Sequence, residues 1–139
     1  MNQRQMKDRT KAFARRVIRL CRELPTTREG NLIGGRLFRS GASVGADHRA
    51  ACRGRSRADF IAKPGIALEE ADESLYWMEL LMETETMPEP RLNGLMREAD
   101  ELISIFVATL RTSKSDAPIR KSEIGNHTSE IAGGAWLCR

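Results

Sequence analysis

The sequence predicts an all-α protein: an up-down-up-down antiparallel four-helix bundle with a flexible C-terminal tail. Three observations predict it. Four stretches of roughly 20 residues repeat apolar side chains at every third or fourth position, the period of one helix face. Short connections carrying proline or glycine separate them. Aromatic residues make up only 5% of the 139, which argues against a β-sandwich, because strands draw on aromatic and β-branched side chains.

The first segment places Met6, Thr10, Phe13, Val17, Leu20 and Leu24 at spacings of 4, 3, 4, 3 and 4. This is a seven-residue repeat on one face. Arg4, Lys7, Arg9, Lys11, Arg15, Arg16, Arg19 and Arg22 lie on its flanks. Pro25-Thr26-Thr27 ends the helix, because a proline pushes the residue before it out of the α region. Gly30 is expected in the turn.

The second segment, Asn31 to Arg53, carries Ile33, Leu37, Val44, Ala51 and Cys52 as its apolar stripe. Gly41 and Gly45 stand one turn apart and fit close approach of another backbone better than chemistry. Gly54 breaks the chain, and Ser56 is a good N-cap. The third segment, Ser56 to Thr84, carries two adjacent stripes, Phe60, Ala67, Ala71, Ser74, Met78, Leu81 and Ile61, Leu68, Leu75, Met82. So wide an apolar face suits a helix packed on two sides. Pro64 either kinks this helix or opens it at its first position; the kink is the favoured reading. Met87-Pro88-Glu89-Pro90 makes a rigid loop. The fourth segment, Arg91 to Arg111, is strongly periodic, with Leu92, Leu95, Met96, Ala99, Leu102, Ile103, Phe106 and Leu110. From Thr112 the period is lost. The organisation expected is therefore a bundle domain over residues 1–112 and a polar tail over 113–139.

Composition bounds the function. The chain can bury roughly two-thirds of its unfolded surface, so it needs neither disulfides nor metal to fold. Cys21, Cys52 and Cys138 are odd in number and widely spaced, which fits reduced thiols in a cytoplasm. No apolar run approaches the roughly 18 residues of a membrane span, and no signal-type core opens the chain. Residues 1–63 carry a net charge of +11 and residues 64–139 carry −7. Two readings follow. Helices of opposite sign attract inside a bundle or across an oligomer interface, or a basic face serves nucleic acid.

Catalytic constellations are absent from the pattern. The carboxylates of the third segment lack the Glu-x-x-His pairs of a di-iron bundle, and the histidines are only His48 and His127. No metal, cofactor or small-molecule substrate is expected, and the chain is read as no enzyme. His48 reads as a hydrogen-bonded structural histidine, and Cys52 as a small core residue. Arg49, Arg53, Arg55 and Arg57 fall within nine residues, with Lys63 one to two turns on. Arginine forms bidentate bonds to phosphate, so these residues, helped by Arg15 and Arg19, are the candidate nucleic-acid contacts. The alternative is that they pair with the carboxylates of the third helix, in the same or a neighbouring subunit.

One stretch resembles a known family. Arg39-Ser40, Ser43-Val44, Gly54-Arg55-Ser56, Asp59-Phe60, Lys63, Ile66-Ala67-Leu68, Glu70-Ala71, Glu73-Ser74 and Tyr76-Trp77 resemble the 23S rRNA-intervening sequence proteins. A more distant likeness is to the accessory variability determinant of diversity-generating retroelements. The resemblance covers about residues 5–112 and is strongest over 36–82. It implies a four-helix bundle, a ring-like homopentamer and a role in binding RNA or DNA. The chain departs from the pattern at Asp47 or its neighbours, where the family usually has asparagine, and at Pro64, where it usually has leucine. The function expected is a non-catalytic nucleic-acid-binding oligomer. The alternative is a structural or protein-docking oligomer.

Overall fold

The computed structural model describes the backbone of residues 1–54 and 57–115, and the side chains of residues 1–54 and 65–112. Four helices account for it: α1 (Gln3–Arg22), α2 (Arg28–Cys52), α3 (Arg57–Glu83) and α4 (Glu89–Ser115). No strand occurs among the described residues. The expected tail lies outside them beyond residue 115.

Local chemistry sets the helix ends. Asn2 Oδ1 accepts the Gln5 N–H at 2.8 Å and Gln5 Oε1 accepts the Asn2 N–H at 3.0 Å. This reciprocal capping box satisfies two otherwise orphaned donors. The second helix starts at Arg28, three residues before the sequence reading. Thr27 Oγ1 accepts the Gly30 N–H at 3.0 Å and so acts as the N-cap. Gly30 therefore lies inside α2, not in the turn. A Cβ on Gly30 would sit 2.2 Å from the Pro25 carbonyl oxygen, so only glycine lets the α1–α2 connection fold back this tightly. The third helix runs through Pro64 from Arg57, which rules out Pro64 as its first residue. It ends with Glu85 at φ 57°. The Glu85 N–H donates to the Met82 carbonyl and the Thr86 N–H to the Leu81 carbonyl, the two bonds of a Schellman turn. In α4, Pro90 occupies the first turn, where its missing N–H would have no intrahelical acceptor.

The predicted stripes form the core. Phe13 and Val17 of α1, Leu37 and Val44 of α2, Met78 and Leu81 of α3, and Leu92, Leu102 and Phe106 of α4 are all buried. Each such side chain contributes roughly 1.5–3 kcal/mol. Met87 of the α3–α4 loop is buried as well, so that loop closes over one end of the core. Each helix packs along its neighbour in sequence, and α1 also meets α4 over a smaller area.

Contacts between α1 and α2 run in opposite order. Gly34 lies on Leu24, Gly41 on Val17 and Gly45 on Thr10. A Cβ on Gly41 would fall 2.7 Å from Val17 Cγ2, and one on Gly45 would fall 3.4 Å from the Thr10 backbone. The small residues thus serve packing. Contacts between α1 and α4 also run in opposite order. Arg9 pairs with Glu98 and Glu101, Arg16 lies beside Gly94, and Glu23 pairs with Arg91. Between α2 and α3, Ser74 Oγ lies 3.0 Å from Ser40 Oγ in a fully buried polar contact. Ser74 also donates to the Glu70 carbonyl at 2.7 Å.

Candidate nucleic-acid interface

Arg49 and Arg53 stand one turn apart at the end of α2, and both are exposed. The helix ends at Cys52, with Arg53 as its cap residue. The Arg53 N–H donates to the Arg49 and Ala50 carbonyls at 3.2 Å, and the Gly54 N–H to Ala51 at 3.1 Å. Cations at this end complement the helix dipole, worth about 0.3–1 kcal/mol. Neither arginine has an ion pair among the described residues. The three ion pairs found there link α4 with α1 or its cap residue Glu23; no α3 carboxylate takes part. Arg55 lies outside the described residues. Arg57 and Lys63 sit in the first two turns of α3, and their side chains lie outside the described set.

The start of α1 meets this end of α2. The His48 ring feels the Gln3 backbone and the charge of Lys7. Lys7, half-buried, and Arg4, exposed, therefore share the end that carries Arg49 and Arg53. The sequence reading selected Arg15 and Arg19 instead. Both are exposed on α1, but Thr10 already faces Gly45 and Val17 faces Gly41. That register sets Arg15 on the order of 15 Å along the axis from Arg49, at 1.5 Å per residue. The missed signal was the short α1–α2 loop, which in a helical hairpin brings the start of one helix beside the end of the next.

His48 and Cys52 lie next to these arginines, both half-buried. Cys52 Sγ is 3.6 Å from His48 Nε2, and the imidazole tilts onto the Phe106 ring at 5.9 Å. Burial, and then the Lys7 charge, push the His48 pKa below its ordinary value, against the smaller opposing effect of the Gln3 backbone. The ring is therefore neutral in neutral solution and adds no charge to the patch. Burial pushes the Cys21 thiol up, which makes it a poor nucleophile. Among the described residues, no group of three or more His, Cys, Asp or Glu side chains could hold a metal ion. No described helix is long and apolar enough to cross a membrane.

The opposite sign gathers on α2 and α3. Burial raises the Glu70 pKa, and Glu73, Asp47 and Glu69 raise it further, while Arg39 opposes them. Burial also raises the Asp47 pKa, again against Arg39. Glu70 Oε2 is shielded from solvent and has no hydrogen-bond partner. Trp77 Nε1 donates to Glu73 at 3.0 Å.

The family model of the 23S rRNA-intervening sequence proteins matches residues 2–108, from the α1 cap to the last turns of α4. The chain belongs to that family. A member of the S23 ribosomal protein family from Bacteroides thetaiotaomicron VPI-5482, a protein of unknown function, has a similar crystal structure. It superimposes with a TM-score of 0.74 at 33% identity, over 80% of this chain and 99% of that one. A search of curated proteins gives no significant match. Family membership thus accounts for the four helices.

Proposed function

We propose that this 23S rRNA-intervening sequence family member is a non-catalytic, cytoplasmic protein whose four helices form an up-down-up-down antiparallel bundle, and which assembles as a homo-oligomer, most simply a pentamer, and binds RNA or DNA through a basic surface. The observation that carries the binding is the end of α2. Arg49 and Arg53 are exposed and make no ion pair within the described residues, although α3 is rich in carboxylates. Arginines without a partner are available to phosphate oxygens. Arg55, Arg57 and Lys63 follow directly in sequence and add to the same charge. Opposite contact order between α1 and both α2 and α4 supports the bundle topology.

Affinity of this kind comes from counterion release and carries little sequence preference. Few aromatic residues are available to stack on unpaired bases. Several copies in one assembly would multiply weak contacts on a single strand. The test is a titration with RNA and with duplex DNA at about 50 and 200 mM salt. Binding that falls steeply between them supports the proposal. No binding at the lower salt overturns it and leaves the structural or protein-docking reading. The exposed Ile66 and Tyr76 on the acidic helix favour a protein contact at that second surface.

A further inference from the structure

The outer side of α3 has one sign. No lysine or arginine occurs between residues 64 and 90. Glu69, Asp72, Glu79 and Glu83 follow one another along it, with Tyr76 among them. Tyr76 is 54% exposed and Ile66 45%, and the Tyr76 ring stands edge-on to Trp77 at 5.1 Å. The cation acting on the neighbouring Glu70 and Asp47 is Arg39, and Glu70 Oε2 stays without a partner. Such a face repels phosphate. Its chemistry fits a basic protein surface with some apolar area.

This chain carries that surface on α1. No acidic residue occurs from Arg9 to Arg22. Arg4, Lys11, Arg15, Arg19 and Arg22 are all exposed, and none has an ion pair among the described residues. Arg4 to Arg22 spans about 27 Å and Ile66 to Glu83 about 26 Å at helical rise. The two faces match in length and oppose in sign. α1 packs on α2 and α4, and α3 packs on those same two helices, so the two outer faces point away from each other within one chain.

We infer that the acidic outer face of α3 receives the basic outer face of α1 from a second copy, joining copies head to tail. This rests on the assembly reading above and names its interface. A contact between two different patches continues from copy to copy until it closes as a ring. Arg15 and Arg19 then serve assembly, and Arg49 and Arg53 are left for nucleic acid.

Charge reversal in the full chain tests it, with light scattering for mass and circular dichroism for helix content at micromolar concentration. The double variant Arg15→Glu/Arg19→Glu is expected to fall to the single-chain mass of 15.6 kDa with its helices intact. Glu69→Lys/Asp72→Lys is expected to do the same. The chain carrying all four changes restores complementary faces and is expected to reassemble. If either double variant keeps the wild-type mass, the inference is overturned. It is also overturned if the fourfold variant stays monomeric. Arginine variants that keep the assembly but lose RNA binding would assign Arg15 and Arg19 to nucleic acid instead. A wild-type chain that is monomeric throughout removes the assembly reading itself, a result distinct from a wrong interface.

Discussion

At the residue scale, glycines of one helix have opposite uses. A methyl group at Gly35 would meet nothing within 4 Å, whereas one at Gly41 would fall 2.7 Å from Val17. Alanine is favoured over glycine in a helix by about 1 kcal/mol. Overpacking a tight contact costs about 1–3 kcal/mol, and Val17 is β-branched and cannot swing away cheaply. Thermal melts should therefore show Gly35→Ala stabilising by nearly 1 kcal/mol and Gly41→Ala destabilising, with a net loss on the order of 1 kcal/mol. Glu70 allows a pH test. Its folded pKa is raised, chiefly by burial and then by Glu73. The protonated form is thus favoured in the folded state. The stability this supplies is complete below the ordinary glutamate range and is lost as pH rises through the raised pKa. Glu70→Gln should then be more stable than wild type at pH 7, by roughly 0.5 kcal/mol, the scale of relieved like-charge pairs on a helix. The gain should shrink as pH falls below the ordinary glutamate value. A gain that is the same at both pH values would show that charge is not its source.

At the element scale, α3 invites one change. The helix continues through Pro64, so the proline removes an N–H that would otherwise bond the carbonyl of Phe60, four residues back. An interior helical proline costs about 3 kcal/mol. Pro64→Leu should raise the melting temperature by the equivalent of roughly 2–3 kcal/mol. An unchanged melting temperature would mean that the first two turns of α3 contribute nothing to global stability. Legibility also differed by element. The stripes of α1 and α4 identified their buried residues correctly because strict periodicity leaves one possible inner face. The start of α2 was misplaced because Thr27 read as part of the break after Pro25. Its side chain accepts the Gly30 N–H three residues on, and with Glu29 in the first turn it is an ordinary local N-cap signal that the proline overshadowed.

At the scale of the whole molecule, charge separation governs behaviour. The net +11 of residues 1–63 and −7 of residues 64–139 are not neutralised by ion pairs between α1 and α3 among the described residues. The described pairs use α4 instead. Arg49 and Arg53 have no ion pair among the described residues, so their removal should cost the fold little beyond the helix-dipole contribution of about 0.3–1 kcal/mol. Arg49→Ala/Arg53→Ala should lower the melting temperature only slightly, weaken RNA binding and flatten its dependence on salt. Loss of assembly in that variant, with RNA affinity unaltered, would return these arginines to a role in assembly.

The sequence by itself determined the helical class, the four segments, nearly all of the described core and the sign of each half. Those depend on periodicity and composition, which are local. Tertiary structure decided which charges share a place. The register of α1 on α2, set by Gly41 against Val17 and Gly45 against Thr10, brings Lys7 to His48 and carries Arg15 and Arg19 away from Arg49. It also decided which acids gather around Glu70, because Asp47 comes from α2 and Glu73 from α3. Spacing along one helix describes that helix alone; the neighbours of a charge across a bundle depend on how deeply two helices interlock, and small residues set that depth.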